Sequence, residues 1–159
     1  MKLNKTILTA TLLMVGAYTG VVSAHNQTGS LGKATTGVVA TDIYQVTCYD
    51  DGSGAPAQLF YQVADLAPVL APTVSIQATK APLSGTISTD PIDGDALFSP
   101  GITFKPTAAV GGAGYYNLIV TKSQSSPIVN GVELYNAQFH CQTATGVHTG
   151  TSWIMTQNQ

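Results

Sequence analysis

The three histidines are the residues of this chain whose chemistry is most specific. Histidine is the commonest metal ligand in proteins and the usual acid–base group near neutral pH. His25 directly follows Val22-Ser23-Ala24, a small-x-small ending of the kind that signal peptidases cut. Cleavage after Ala24 makes His25 the first residue of the processed chain. Its free α-amine and its ring Nδ1 would then form a chelate that suits copper.

His148 and His140 are the candidates for the remaining nitrogen ligand. His148 lies in the turn-like segment Gly146–Gly150, which leaves it the freer of the two. His140 precedes Cys141, so strand alternation places it on the face opposite an inward-pointing Cys141. Copper(II) prefers tetragonal nitrogen and oxygen ligands. The sequence therefore predicts a copper site made by His25 with His148, His140 or both.

In having a histidine at the processed N-terminus, the chain resembles lytic polysaccharide monooxygenases and the CopC-type periplasmic copper carriers. The resemblance is carried by His25 alone. It implies a β-sandwich fold and a copper ion held by the amine, the first imidazole and a second histidine.

A second candidate site consists of three acidic residues in one turn. Asp90, Asp93 and Asp95 occur in the segment Asp-Pro-Ile-Asp-Gly-Asp. Calcium takes several oxygen ligands, which acidic turns sometimes provide. The spacing does not match an EF-hand loop, and Asp and Gly also form turns without any ion. Calcium binding here stays an open alternative to a plain turn.

The aromatic residues fall mostly at strand positions where core packing is expected. Two adjacent pairs, Phe60-Tyr61 and Tyr115-Tyr116, must each direct one ring outward, because neighbouring strand residues face opposite sides. We expect Tyr61 and Tyr115 to be the outward rings and the most plausible ligand contacts.

Catalytic motifs are missing from the sequence. It contains no Gly-x-Ser-x-Gly, His-Glu-x-x-His or Cys-x-x-Cys motif, and its single glutamate, Glu133, has no evident carboxylate partner. We therefore predict no catalytic residues and favour a non-catalytic function.

The N-terminal segment predicts export. Lys2 and Lys5 precede an apolar stretch over Ile7–Ala17, so residues 1–24 read as a secretory signal peptide. Residues 25–159 then form one domain, in which residues 25–40 are a polar arm, either ordered or loose. We expect a periplasmic or extracellular protein with no membrane span after processing.

Charge excludes one class of partner. The chain has six Lys+Arg residues, all of them lysine, and eight acidic residues, for a net charge of −2. Removal of Lys2 and Lys5 with the signal peptide lowers the net charge to −4. A nucleic-acid binder needs a cationic surface and commonly uses arginine, so nucleic acid is not an expected partner.

Cys48 and Cys141 are the only cysteines. In an exported chain an even count indicates a disulfide, which here would link the beginning of the domain to its end.

Apolar residues alternate with polar ones at a period of two. Alternation over Tyr44–Cys48, Val74–Thr79 and Tyr116–Thr121 predicts half-buried strands. Turn-forming residues separate these strands. The other predicted strands are Gln58–Ala64, Thr86–Thr89, Ile102–Phe104, Glu133–Gln142 and Thr151–Thr156, with Thr35–Ala40 as a short edge strand and Asn130-Gly131 as a hairpin turn. The fold class is all-β, an antiparallel β-sandwich of immunoglobulin-like or CopC-like size.

Two functions fit these expectations. The first is a non-catalytic binding or structural module of the periplasm or cell surface. Self-association is one form of this function, because the charge-poor, Thr- and Ser-rich composition is similar to that of fimbrial subunits. The alternative is a periplasmic copper-binding protein that uses His25 with His148, His140 or both.

Overall fold

The structure, a computed structural model, describes residues 25–32, 40–67, 73–123 and 132–159. These residues form strands, turns and loops, with no helix among them. The strands are β1 (His25–Leu31), β2 (Thr41–Tyr49), β3 (Gln58–Leu66), β4 (Val74–Lys80), β5 (Leu83–Ser84), β6 (Ser88–Thr89), β7 (Ile102–Phe104), β8 (Gly114–Lys122), β9 (Glu133–Gln142) and β10 (Gly150–Gln157).

The strands make two antiparallel sheets. The four-stranded sheet has the order β1-β9-β3-β7. The six-stranded sheet has the order β10-β2-β8-β4-β5, with β6 pairing to β4. The described residues contain no helix of the length and hydropathy that a bilayer crossing requires.

Period-two alternation places the core between the sheets. Tyr44, Val46 and Cys48 of β2 are buried, while the residues between them are only partly so. On β9 the inward set includes Phe139 and Cys141, both with no exposed surface. The predicted disulfide is confirmed: Cys48 of β2 is bonded to Cys141 of β9, with a Cα–Cα distance of 5.6 Å. It joins the six-stranded sheet to the four-stranded one in a sandwich-like arrangement.

Most predicted strands are present with small changes of length. Ile102–Phe104 and Glu133–Gln142 have the predicted bounds, whereas the strand predicted at Thr86–Thr89 is shortened to Ser88–Thr89. Tight turns join them where glycine adopts a left-handed backbone. After β2, the Asp50 carboxylate accepts the N–H groups of Gly52 and Gly54 at 2.8 and 3.1 Å, and both glycines have positive φ.

The polar segment at the start of the domain is a strand. His25–Leu31 pairs with β9 along its full length, from His25 opposite Phe139 to Leu31 opposite Glu133. Hydrogen bonding to a buried neighbouring strand orders a segment that has few apolar residues of its own. The predictions made for residues 1–24, for residues 35–39 of the short edge strand and for the Asn130-Gly131 hairpin fall outside the described residues.

Candidate metal centre

Strand β9 fixes the orientation of His140. Because the disulfide turns Cys141 inward, alternation turns His140 to the outer face of the four-stranded sheet, as the sequence predicts. On β3, Phe60 lies directly opposite His140 in the register. His140 is nevertheless only 7% exposed, because neighbouring side chains cover it.

His25 and His148 approach β9 along the same edge. His25, the first residue of β1, pairs with Phe139, one residue before His140. Beyond β1, the chain returns from the turn after β9, and His148 forms an isolated bridge with Gln142. The Thr149 N–H donates to the Cys141 carbonyl at 3.0 Å and holds this segment in place. His25 therefore shares the inner side of the sheet with Phe139, whereas His148 stands beside His140 on the outer side.

The aromatic rings pack closely at this point. The His140 ring stacks on the Phe60 ring with centroids 4.9 Å apart, and on the His148 ring with centroids 3.7 Å apart. The His25 ring lies 6.4 Å from the Phe139 ring, centroid to centroid. We call His25, His140 and His148 the histidine cluster.

Burial keeps the imidazoles of His140 and His148 neutral. Desolvation, with repulsion from His148 and His25, lowers the pKa of His140 to about 4. Desolvation and repulsion from His25 also lower the pKa of His148. A neutral imidazole is the form that binds a metal. Both side chains are therefore available as ligands at neutral pH without first losing a proton.

A chain of two glutamines supports His140. The Gln58 amide donates to the Gln142 amide oxygen at 2.9 Å, and the Gln142 amide nitrogen lies 2.9 Å from His140 Nε2. His140 Nδ1 is buried without a hydrogen-bond partner. Amide oxygen and nitrogen are interchangeable in such a pair. With both amides inverted, His140 donates Nε2–H to Gln142 and its Nδ1 carries a free lone pair, as in a metal-ligating histidine with an outer hydrogen-bond partner.

Coordination of one ion by the cluster requires ring rotation. The ligand atoms of the three histidines do not all lie within 4.8 Å of one another. Among the described residues, Asp65, Asp93 and Glu133 form such a group. His140 is fixed by its stack, whereas His25 and His148 are partly exposed. Rotation can turn the His148 ring toward an ion beside His140, whereas His25 faces the inner side with Phe139 and must move as a whole residue at the edge of the sheet.

Only one of the three aspartates predicted as calcium ligands, Asp93, belongs to a group of closely spaced ligand atoms. The Asp90 carboxylate accepts the N–H groups of Asp65 and Ile92, at 2.7 and 3.1 Å. Asp95 accepts the Leu97 N–H at 2.8 Å, as a turn-forming aspartate does. Asp93 alone of the predicted trio joins the group with Asp65 and Glu133. These two partners are far from it in sequence, so no local motif identifies them.

One predicted ligand contact needs correction. Tyr61 is fully buried and its hydroxyl donates to the Thr86 carbonyl, whereas Phe60 is the ring on the outer face. The reason is the register: Tyr61 pairs with inward-facing Phe139 and therefore shares its side of the sheet. Tyr115 is 66% exposed, as expected for an outward ring.

Comparison with known proteins finds no family model, no curated protein and no solved structure that matches this chain. Its function is therefore argued from the geometry of its own side chains.

Proposed function

We propose that the processed chain is an exported, non-catalytic copper-binding protein that holds Cu(II) at the histidine cluster. The observation that carries the proposal is His140, a buried and neutral imidazole whose Nδ1 lacks a hydrogen-bond partner and whose ring is stacked on His148. A buried polar atom without a partner costs free energy, which a bound metal ion would recover.

Each residue has a separate part in this site. Processing before His25 provides the α-amine and the ring Nδ1 as one chelate at the start of β1. His140 supplies a rigid nitrogen, because Phe60 packs on its ring and Gln142 contacts its Nε2. His148 is partly exposed and supplies the adaptable nitrogen. The disulfide fits an exported protein of this kind.

Two points of likeness to CopC-type carriers support this function: the size of the domain and a histidine at the processed N-terminus. Those proteins bind copper on a β-sandwich, and the present chain has a sandwich-like pair of sheets with His25 as the first residue of β1. Export of the chain, cleavage after Ala24 and a CopC-like topology belong to the same proposal.

Copper titration of the processed protein tests the proposal. We expect the chain beginning at His25 to bind one Cu(II) ion, with an electron paramagnetic resonance spectrum typical of nitrogen ligation. A chain with one alanine added before His25 keeps all three imidazoles but moves the amine. We expect it to bind roughly a hundredfold more weakly, equivalent to ~2.7 kcal/mol.

Substitutions then separate the ligands from their surroundings. His140→Ala and His148→Ala should each weaken copper binding, and the larger effect identifies the main partner of His25. Asn26→Ala changes the neighbouring exposed residue and is the matched control. Equal affinity of the processed and the alanine-extended chains would refute the proposal, and the added alanine leaves the core untouched.

A self-associating structural module is the second candidate, favoured by one observation. Strand β10 pairs with β2 and with no other described strand, and no residue of Gly150–Gln157 is charged. Such an unprotected edge favours strand addition by a second copy. Ile154 on this strand is 59% exposed. Ile154→Lys should reduce any concentration-dependent association seen by analytical ultracentrifugation, and a monomer at every concentration would dismiss this candidate.

A further inference from the structure

A second cluster of ionisable side chains lies far from the histidines. Glu133 begins β9, Asp65 lies near the end of β3, and Asp93 belongs to the loop between β6 and β7. His140 lies seven positions after Glu133 on β9, which at ~3.3 Å per residue is about 23 Å. We call Asp65, Asp93 and Glu133 the acidic cluster. It occupies the opposite end of the four-stranded sheet and is independent of the copper proposal.

Backbone contacts hold the three carboxylates together. The Gly94 N–H donates to the Asp65 carbonyl at 3.0 Å and ties the Asp93 loop to β3. Asp65 Oδ2 accepts the Val74 N–H at 2.9 Å, which fixes the orientation of the carboxylate. Ligand atoms from Asp65, Asp93 and Glu133 all lie within 4.8 Å of one another. Oxygens at such separations can contact one ion at the 2.3–2.6 Å distances of calcium, roughly the geometry required.

Two of these side chains are buried and have carboxylate oxygens without a hydrogen-bond partner. Glu133 and Asp65 have no exposed surface. Both carboxylate oxygens of Glu133, and Oδ1 of Asp65, lack a hydrogen-bond partner. Buried carboxylates are ordinarily paired, hydrogen-bonded or bound to a metal, because desolvation of an unpaired charge is costly. The unsatisfied oxygens of Glu133 and Asp65 are therefore a second observation, beyond the clustering of acids, that points to a cation.

Burial and mutual repulsion disfavour the ionised forms of Glu133 and Asp65. Lys122, 1% exposed, attracts Glu133 and lowers its pKa. Burial and repulsion from Asp93 outweigh that attraction and raise the pKa of Glu133 to about 7. Burial, with repulsion from Asp93, Glu133 and Asp90, raises the pKa of Asp65 to about 7 as well. A divalent cation bound among these carboxylates would favour their ionised forms and offset both effects.

We propose that Asp65, Asp93 and Glu133 bind a calcium ion at the end of the sandwich opposite the histidine cluster. An all-carboxylate, buried set favours a hard cation with oxygen ligands. Calcium fits better than magnesium, which dehydrates reluctantly and keeps several of its waters. The ligands would come from β3 and β9 of the four-stranded sheet and from the loop between β6 and β7.

Thermal unfolding of the chelator-treated protein with added CaCl₂ tests the site. Extracellular calcium modules bind with dissociation constants on the order of 0.1 to 1 mM. At about 10 mM CaCl₂ and a dissociation constant of ~0.1 mM, linkage predicts a rise in Tm of about 10 °C. We expect MgCl₂ to give a clearly smaller rise. An unchanged Tm with CaCl₂ would overturn the proposal, and an equal rise with MgCl₂ would overturn the assignment to calcium.

Two isosteric variants and a control complete the experiment. Glu133→Gln and Asp65→Asn should abolish the calcium-dependent rise. Asn at position 65 can still accept the Val74 N–H, so this variant should fold if Glu133→Gln does not. Asp51→Asn removes an equal charge from an exposed turn and should keep the full rise. A rise that survives in both cluster variants would refute the site.

A metal-free comparison separates a calcium site from a purely structural arrangement of acids. Without calcium, Glu133→Gln should unfold at a higher temperature than the unsubstituted protein, because it removes a buried charge that lacks a hydrogen bond. A lower Tm for both Glu133→Gln and Asp65→Asn without calcium would show that the carboxylates stabilise the fold by themselves, and would count against the site.

Discussion

Removal of the disulfide between Cys48 and Cys141 should cost a large part of the stability of this domain. The two residues are 93 positions apart. In the chain-entropy model, a closed loop of that length stabilises the folded state by ~4.7 kcal/mol at 25 °C. Single domains are stable by only about 5–15 kcal/mol. The reduced protein should therefore be marginal.

Urea unfolding of the oxidised and reduced protein measures this directly. Reduction keeps both side chains, so it separates the crosslink from the packing change. The variant with both Cys48→Ala and Cys141→Ala adds a cavity, because both residues are buried, and should lose roughly 1 kcal/mol more. A difference below about 2 kcal/mol between oxidised and reduced protein would refute the reasoning, since the denatured chain would then be compact already.

Three further predictions concern the core and its tyrosines. Tyr135→Phe removes the hydroxyl that donates to Asp42 Oδ2 at 2.7 Å, and should cost ~1–3 kcal/mol in urea unfolding; no loss would show that Asp42 finds another donor. Burial raises the pKa of Tyr116 to about 12, so its contribution is complete below pH ~10 and should be lost between pH ~10 and ~12, by at most ~2.7 kcal/mol. A urea midpoint that is constant across this range would contradict it. Gly29→Ala would place a Cβ 2.3 Å from the fixed Tyr135 ring and should cost ~1–3 kcal/mol; an unchanged Tm would show that the ring yields.

The sequence predicted the strands well because their alternation is a local property. The inward set of β2 and the outward position of His140 follow from one rule applied to residues two apart. The same rule cannot choose between Phe60 and Tyr61. That choice depends on which β9 residue faces each of them, and pairing between distant strands is not encoded in either segment alone.

The two clusters differ in how far the sequence could reveal them. The histidines are few and chemically distinctive, so His25, His140 and His148 could be proposed together from residue type alone, and the structure stacks the rings of His140 and His148. The acidic cluster joins Asp65, Asp93 and Glu133 from three separate segments. No spacing links them, and the aspartates that do share a motif, Asp90 and Asp95, are used in backbone hydrogen bonds instead.

Strand β9 carries Glu133, His140 and Cys141, and their sides of the sheet are set by whether an odd or an even number of residues separates them. Inserting or deleting a single residue between Glu133 and His140 would exchange the inward and outward positions on one side of the change. The crosslink, the imidazole or the carboxylate would then face the wrong way, whichever part of the strand moved. We therefore expect this segment to tolerate substitutions at single sites far more readily than any change in its length.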